Sequence, residues 1–286
     1  MFLKTIGTYI HLQFLSLAES IMAAPPPSNT IFLFPPKKTR RFEVDSWADY
    51  ALRETSYALS TATIINKVTH RKSTRDVAHE FLIVEMELQQ PPRTTYLVTD
   101  RGPTKTNRAS PPLPSTPPTP SRGSGSMASL FAIVDADDRV RVPENGLKAN
   151  LELFALSEFG RHNEVCTLHW PRENSPPQMS AAQLAVLLSA VHAYNDQYAA
   201  NGNSCYWYAY TVMEVIRTKF VAVQTEGSAF AERSMFARKK MDVEGDVEAV
   251  SKLYDTEWAK CSEQAQQRAV SSVNFYFVNF AGSNVS

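Results

Sequence analysis

AHEFLIVEMELQQPPRTTYLVTD, residues 78–100, holds two runs dense in β-formers, His79 to Leu88 and Thr94 to Asp100, joined by QQPPR. Branched and aromatic side chains suit a pleated, half-buried surface, and a proline-containing link suits a turn, so the stretch predicts two antiparallel neighbouring strands. Downstream, SLFAIVDADDRVRVP alternates apolar positions at Phe131, Ile133, Val140 and Val142, which predicts one or two further strands around an aspartate-rich turn. Upstream, DSWADYALRETSYALSTATIINKV places Trp47, Tyr50, Ala51, Ala58, Ala62 and Ile65 at helical spacing, with Asp45 or Ser46 as cap.

Beyond the strands, SAAQLAVLLSAVHAYNDQYAANGNS predicts a helix. Ser180 and Gln183 make a capping box, Leu184, Leu187, Leu188, Val191 and Tyr198 an apolar stripe, and Asn201, Gly202 and Asn203 a stop. A second helix follows at once in SCYWYAYTVMEVIRTKF, capped by Asn203 or Ser204 and carrying Cys205 in its first turn. From Glu226 to Gln267 a polar stretch reads as mostly helical and exposed, and SSVNFYFVNF as a closing strand. The fold class expected is α+β, a small antiparallel sheet packed against helices. Residues 1–44 are expected to form a leader and proline-rich linker, 45–220 the domain, 103–126 a disordered insertion rich in proline, serine and threonine, and 221–286 a helical extension.

Composition narrows the function. Lys and Arg number 29 and Asp and Glu 29, which removes the broad basic field that nucleic acid or an anionic membrane would select. No stretch approaches the roughly 18 uninterrupted apolar residues that a transmembrane segment needs. Three scattered cysteines make no disulfide framework and fit a reducing, cytoplasmic setting. Secretion stays open, because MFLKTIGTYIHLQFLSLAESIMAAPPP has the outline of a signal, although His11, Gln13 and Glu19 interrupt it and favour an amphipathic or disordered leader, with Met22 as an alternative start.

Cys205 has two readings. At the first turn of a helix, unpaired amide N–H groups and the helix dipole favour a thiolate and can hold an oxyanion, which suits a nucleophile. Set among Tyr206, Trp207, Tyr208 and Tyr210, the same thiol is also a small residue packed beneath aromatics. His79, at the start of a strand, is the candidate base in the first reading and a surface residue in the second.

The motifs AHEFLIVEMEL, YLVTDRG and NSCYWYA, in this order, resemble circularly permuted papain-like thiol proteins, the group of the lecithin:retinol acyltransferase-like proteins and the desumoylating isopeptidases. They also resemble fungal proteins with a histidine-bearing strand and a helix beginning Asn, Cys and aromatics. The resemblance spans about residues 79–220, with the histidine strand before the cysteine helix. It implies Cys205 as nucleophile, His79 as base, and a polar residue on the following strand, Asp100 or Thr99, to orient the imidazole. Asp100 is preferred because a carboxylate also stabilises imidazolium. The implied activity is hydrolysis or acyl transfer on an amide, isopeptide or ester, with a peptide or acyl substrate and no cofactor. The alternative is a non-catalytic interaction module that keeps the fold.

Other signals are weaker. Cys166 and His169 in VCTLHWP could open a metal site, but further ligands would have to come from Cys205, Cys261, His162 or His192 in unrelated segments. KKTRR reads as a charged linker, RKKMDVEGDVEAVSK as a solvated helix face, and Asn284 with Ser286 as a formal glycosylation sequon. PPLPSTPPTP fits polyproline recognition by a protein partner.

Overall fold

The computed structural model describes residues 12, 32–74, 78–90, 92–104, 133–170, 178–199, 204–233, 235–236, 239–240 and 244–282. The proline-rich insertion beyond Thr104, the stop at Asn201 to Asn203, and the leader apart from Leu12 lie outside them. Ten strands are described: β1 (Arg40–Glu43), β2 (Thr63–Ser73), β3 (Glu80–Gln89), β4 (Pro92–Pro103), β5 (Val134–Val142), β6 (His162–His169), β7 (Gln197–Tyr198), β8 (Val223–Glu226), β9 (Met235–Phe236) and β10 (Lys239–Lys240). The helices are α1 (Val44–Leu52), α2 (Glu54–Ala62), α3 (Lys148–Phe159), α4 (Ala181–Tyr194), α5 (Cys205–Lys219) and α6 (Glu244–Gly282). No described helix is long and apolar enough to cross a membrane.

The fold is α+β. One antiparallel sheet runs β1-β5-β4-β3-β2-β6-β8, with β7 added on β5, and β9 and β10 form a separate pair. The two strands of residues 78–100 are antiparallel neighbours, in register from Leu82 opposite Thr99 to Gln89 opposite Pro92. Eight strands make a larger sheet than the small one expected. β2 escapes a sequence reading because it follows α2 without a turn residue and mixes Asn66, Lys67, Thr69 and Arg71 among its apolar positions; β1 and β8 are only four residues long.

Side-chain alternation divides the sheet between two cores. Leu82, Val84, Met86 and Leu88 of β3 join the main core with Trp47 and Trp207, whereas Phe81 and Ile83 join Val98, Leu151, Ala155 and Phe159 under α3. The main core also draws in Phe32, Leu33 and Phe34 before residue 45, and Val250 and Tyr254 of α6 beyond residue 220.

Several elements differ from their sequence patterns. The helix expected across Trp47 to Ile65 breaks at Arg53, which is extended (φ −60°, ψ 148°), and ends at Ala62, so that Ile65 can pair with Met86 in β2–β3. Its cap is Glu43, not Asp45 or Ser46. The capping box at Ser180 and Gln183 is present, but α4 ends at Tyr194, and Tyr198 leaves the apolar stripe for β7. The aspartate-rich segment continues as one strand, β5, because its acids find cations: Asp138 is buried against Arg101, and Asp137 meets Arg41 at 2.5 Å. SSVNFYFVNF lies in α6 rather than in a strand, continuous with the helix-forming residues before it. Part of the polar stretch after Glu226 forms the β9–β10 pair instead of helix.

Arg101 ties these layers together. Its Nε and Nη2 donate to the Asp138 carboxylate at 2.6 and 2.5 Å, Nη2 also donates to the Asn195 carbonyl at 2.8 Å, and the guanidinium lies 4.7 Å from the Trp207 ring centroid. Both members of the ion pair have fully buried side chains. Asp138→Ala, which strands a buried guanidinium, is expected to cost about 3–5 kcal/mol of stability. Ser180→Ala, which removes only a cap, should cost about 1 kcal/mol. Urea unfolding measures both, and equal losses would show that Arg101 does not depend on its carboxylate.

Candidate active site

Cys205 is the first residue of α5, preceded by Ser204 as N-cap. The Ser204 side chain makes no capping bond, and its Oγ is buried without a partner among the described residues. The first helical bond in this turn runs from Tyr208 N–H to the Ser204 carbonyl, at 3.1 Å. The amides of Cys205, Tyr206 and Trp207 therefore have no intrahelical acceptor, as in any first turn.

His79 stands just before β3, and its carbonyl continues the ladder by accepting from Ser73 N–H at 2.8 Å. Its ring stacks on Phe159 of α3, with centroids 5.1 Å apart and planes 22° apart. The neighbouring residue Glu80 is fixed from the other face by His70 Nε2 at 2.7 Å and Lys72 Nζ at 3.2 Å. Nε2 of His79 lies 3.0 Å from Asp100 Oδ2. With Nε2 so engaged, Nδ1 is the ring nitrogen left over, and the imidazole lies close enough to Cys205 for that thiol's charge to raise its pKa.

Alternation separates Asp100 from Thr99. Asp100 shares the α3 face of the sheet with Val98, Phe81 and His79, and diagonal positions on one face of an antiparallel pair lie within side-chain reach. Thr99 points the other way, 2.6 Å from the Tyr208 hydroxyl of α5. The structure thus brings together Cys205, His79 and Asp100 and leaves Thr99 out.

Asp100 is fully buried and holds three cations: besides His79 it accepts from Arg139 Nη2 at 2.7 Å and from Arg141 Nη1. Burial alone would raise its pKa, but His79, Arg141 and Arg139 hold it well below the usual carboxylate range. For His79, burial opposes the charged form; the Cys205 charge and Asp100 outweigh it and raise the pKa from 6.5 to about 10. The imidazole is therefore an imidazolium at neutral pH, paired with the Asp100 carboxylate.

Four contributors escaped the sequence reading. Arg139 and Arg141 had a signal, two residues apart on β5 with Val140 between them on the opposite face. Tyr206 donates its hydroxyl hydrogen to the Ala78 carbonyl, linking the residue after the cysteine to the residue before the histidine. Tyr198 lies near enough for burial and the Cys205 charge to raise its phenol well above the ordinary range, and it was hidden by its fit to a helical stripe. Cys205 is only 3% exposed, while the His79 side chain is 23% exposed.

The other thiols differ. Burial pushes the Cys166 thiol up to about 11, and although His70 faces it across β2–β6, that ring is bound to Glu80. Burial also raises Cys261. His192 is a boundary residue bonded to Asp138 through Nδ1 at 2.9 Å. His162 approaches Glu152 at 3.7 Å. Among the described residues no group of three or more His, Cys, Asp or Glu side chains is arranged to hold a metal ion.

Neither a protein-family model, a curated protein nor a solved structure matches this chain.

The pair predicts a histidine titration. The stability contributed by charged His79 is fully present below its unfolded pKa near 6.5 and is lost as pH rises through about 10. Ring NMR signals should therefore report imidazolium at pH 8, with a midpoint moved down by Cys205→Ala. A wild-type midpoint near 6.5 would remove the ion pair.

Proposed function

We propose that this protein is a thiol-dependent hydrolase or acyltransferase acting on an amide, isopeptide or ester, with a permuted papain-like arrangement of its site. The observation that carries the reading is the chain of contacts from Cys205 at a helix start to His79 and on to the buried Asp100. The order along the chain, histidine strand before cysteine helix, agrees with the resemblance of the three motifs.

In this reading the Cys205 thiolate adds to the substrate carbonyl carbon, the carbonyl π pair moves onto oxygen, and first-turn amides receive the oxyanion. Collapse restores the carbonyl and expels the amine or alcohol, which takes a proton from the His79 imidazolium. Water or a second acceptor, deprotonated by the now neutral His79, then attacks the acyl-enzyme and releases Cys205. Asp100 keeps the ring oriented throughout and balances its charge.

The 3% exposure of Cys205 favours the second reading, a non-catalytic interaction module in which the cysteine is packing. The imidazolium, the carboxylate and two arginines weigh against it. Removing ions from water costs several kcal/mol each before pairing, which an apolar cluster would avoid.

Intact mass spectrometry after incubation with p-nitrophenyl butyrate and with peptide amides tests the choice. The expected result is a single acyl adduct on Cys205, absent in Cys205→Ser, with turnover lowered about a hundredfold to ten-thousandfold in His79→Ala. An adduct that persists in Cys205→Ser, or none at any substrate concentration, supports the packing reading.

A further inference from the structure

Lys72 sits at the end of the β2–β3 ladder, directly opposite Glu80, and its side chain is only 8% exposed. An ammonium taken out of water must replace its hydration, and its three N–H donors need acceptors. Lys72 Nζ finds two of them on the segment after β8, donating to the Glu232 carbonyl at 2.7 Å and to the Met235 carbonyl at 3.3 Å. The third is Glu80 Oε1, 3.2 Å away. Beside them stands the Tyr206 ring, its centroid 5.4 Å from Nζ, within the range over which a cation is attracted to an aromatic face.

These contacts fall on the neighbours of the two site residues. Glu80 follows His79 in the chain, and Tyr206 follows Cys205. Tyr206 also donates its hydroxyl hydrogen to the carbonyl of Ala78, on the other side of His79. The start of β3 and the first turn of α5 are therefore joined twice, once by Tyr206 to Ala78 and once by Lys72 between Glu80 and the Tyr206 ring. The segment that supplies the two carbonyls is itself fixed to α5, since Arg233 pairs with Glu214 and lies 4.5 Å from the Tyr210 ring centroid. Tyr206, Tyr210 and Glu214 follow one another at intervals of four along one stripe of α5, and each meets either Lys72 or Arg233. Glu80 keeps a partner if the ammonium is removed, because His70 Nε2 lies 2.7 Å from its Oε2.

We infer that Lys72 is a positioning residue, which sets the distance between Cys205 and His79 by holding Tyr206 and Glu80 to one cation. The inference rests on the catalytic reading of Cys205. Lys72 transfers no proton; the leaving group's proton still comes from His79. Its effect is geometric, and a misplacement of about 1 Å can cost on the order of a hundredfold in rate.

Lys72→Met keeps the stem and removes the ammonium. In this variant the acylation burst of Cys205 with p-nitrophenyl butyrate is expected to slow about tenfold to a hundredfold at saturating substrate. The NMR midpoint of the His79 ring should fall from about 10, because a more distant Cys205 charge raises it less. In the Cys205→Ala background the same change should produce no further fall. The direction separates positioning from plain electrostatics, since deleting a nearby positive charge would by itself raise the midpoint. It also separates positioning from a purely structural role, which would lower the urea midpoint and leave the His79 titration where it was. A titration that stays or rises, or acylation at the wild-type rate, would overturn the role of Lys72. If Lys72→Met does not fold, Lys72→Met with Glu80→Gln, which leaves no carboxylate without its cation, is expected to give the same two changes. Wild-type protein that never acylates would instead overturn the catalytic reading, and with it the part of Lys72 in the reaction.

Discussion

A carboxylate with no solvent exposure cannot stay charged without cations around it, and Asp100 meets that demand with three. Two of them, Arg139 and Arg141, come from β5, where Arg139 is the direct cross-strand partner of Asp100 and Arg141 that of Val98. The third is His79, reached diagonally from the end of β3. The ionic arrangement therefore agrees with the β3–β4–β5 register, and a slip of one residue in either pairing would turn the carboxylate to the opposite face. Gly102 belongs to the same constraint, since a Cβ there would meet Arg139 Nη2 at 2.5 Å and the guanidinium would have to shift.

The sheet then acts as a partition with the site at one end. On one face α3 presents Phe159 to the His79 ring; on the other α5 is anchored by Tyr208 to Thr99 and by Trp207 to Arg101. Adjacent residues of β4 thus serve opposite layers, Thr99 holding the Cys205 helix through Tyr208 and Asp100 the His79 imidazole. Tyr206 closes the circuit by bonding the backbone at Ala78. Cys205 and His79 come from segments more than a hundred residues apart, yet each is braced by an immediate neighbour in the chain.

Legibility in the sequence followed how local the signal was. β3 and β4 were readable because branched side chains and a proline turn mark them, and α4 began where its capping box said it would. Cys205 at a helix start and His79 at a strand start followed from those elements. The choice between Asp100 and Thr99 was beyond sequence alone, because it depends on which face α3 and α5 cover. α3 itself was unannounced, its amphipathic pattern blurred by Asn150, Glu152 and Glu158. Tyr198 was misplaced because a tyrosine four residues after Tyr194 satisfies helical spacing as well as it satisfies β7, and only the pairing with β5 distinguishes them.

The comparison of Cys205 with Cys166 turns this geometry into an argument about chemistry. Both thiols are buried, so burial by itself does not make a nucleophile. Around Cys166 the desolvation penalty dominates and the thiol is held neutral. At Cys205 the same low exposure surrounds a sulfur at the head of a helix, close enough to His79 for its charge to raise the imidazole's pKa. In a site with little water, fixed donors such as first-turn amides interact more strongly with charge than bulk solvent would. The buried ions at Asp100 cost stability that apolar packing would have spared. What they supply in return is an imidazolium held charged across the physiological range, close to Cys205.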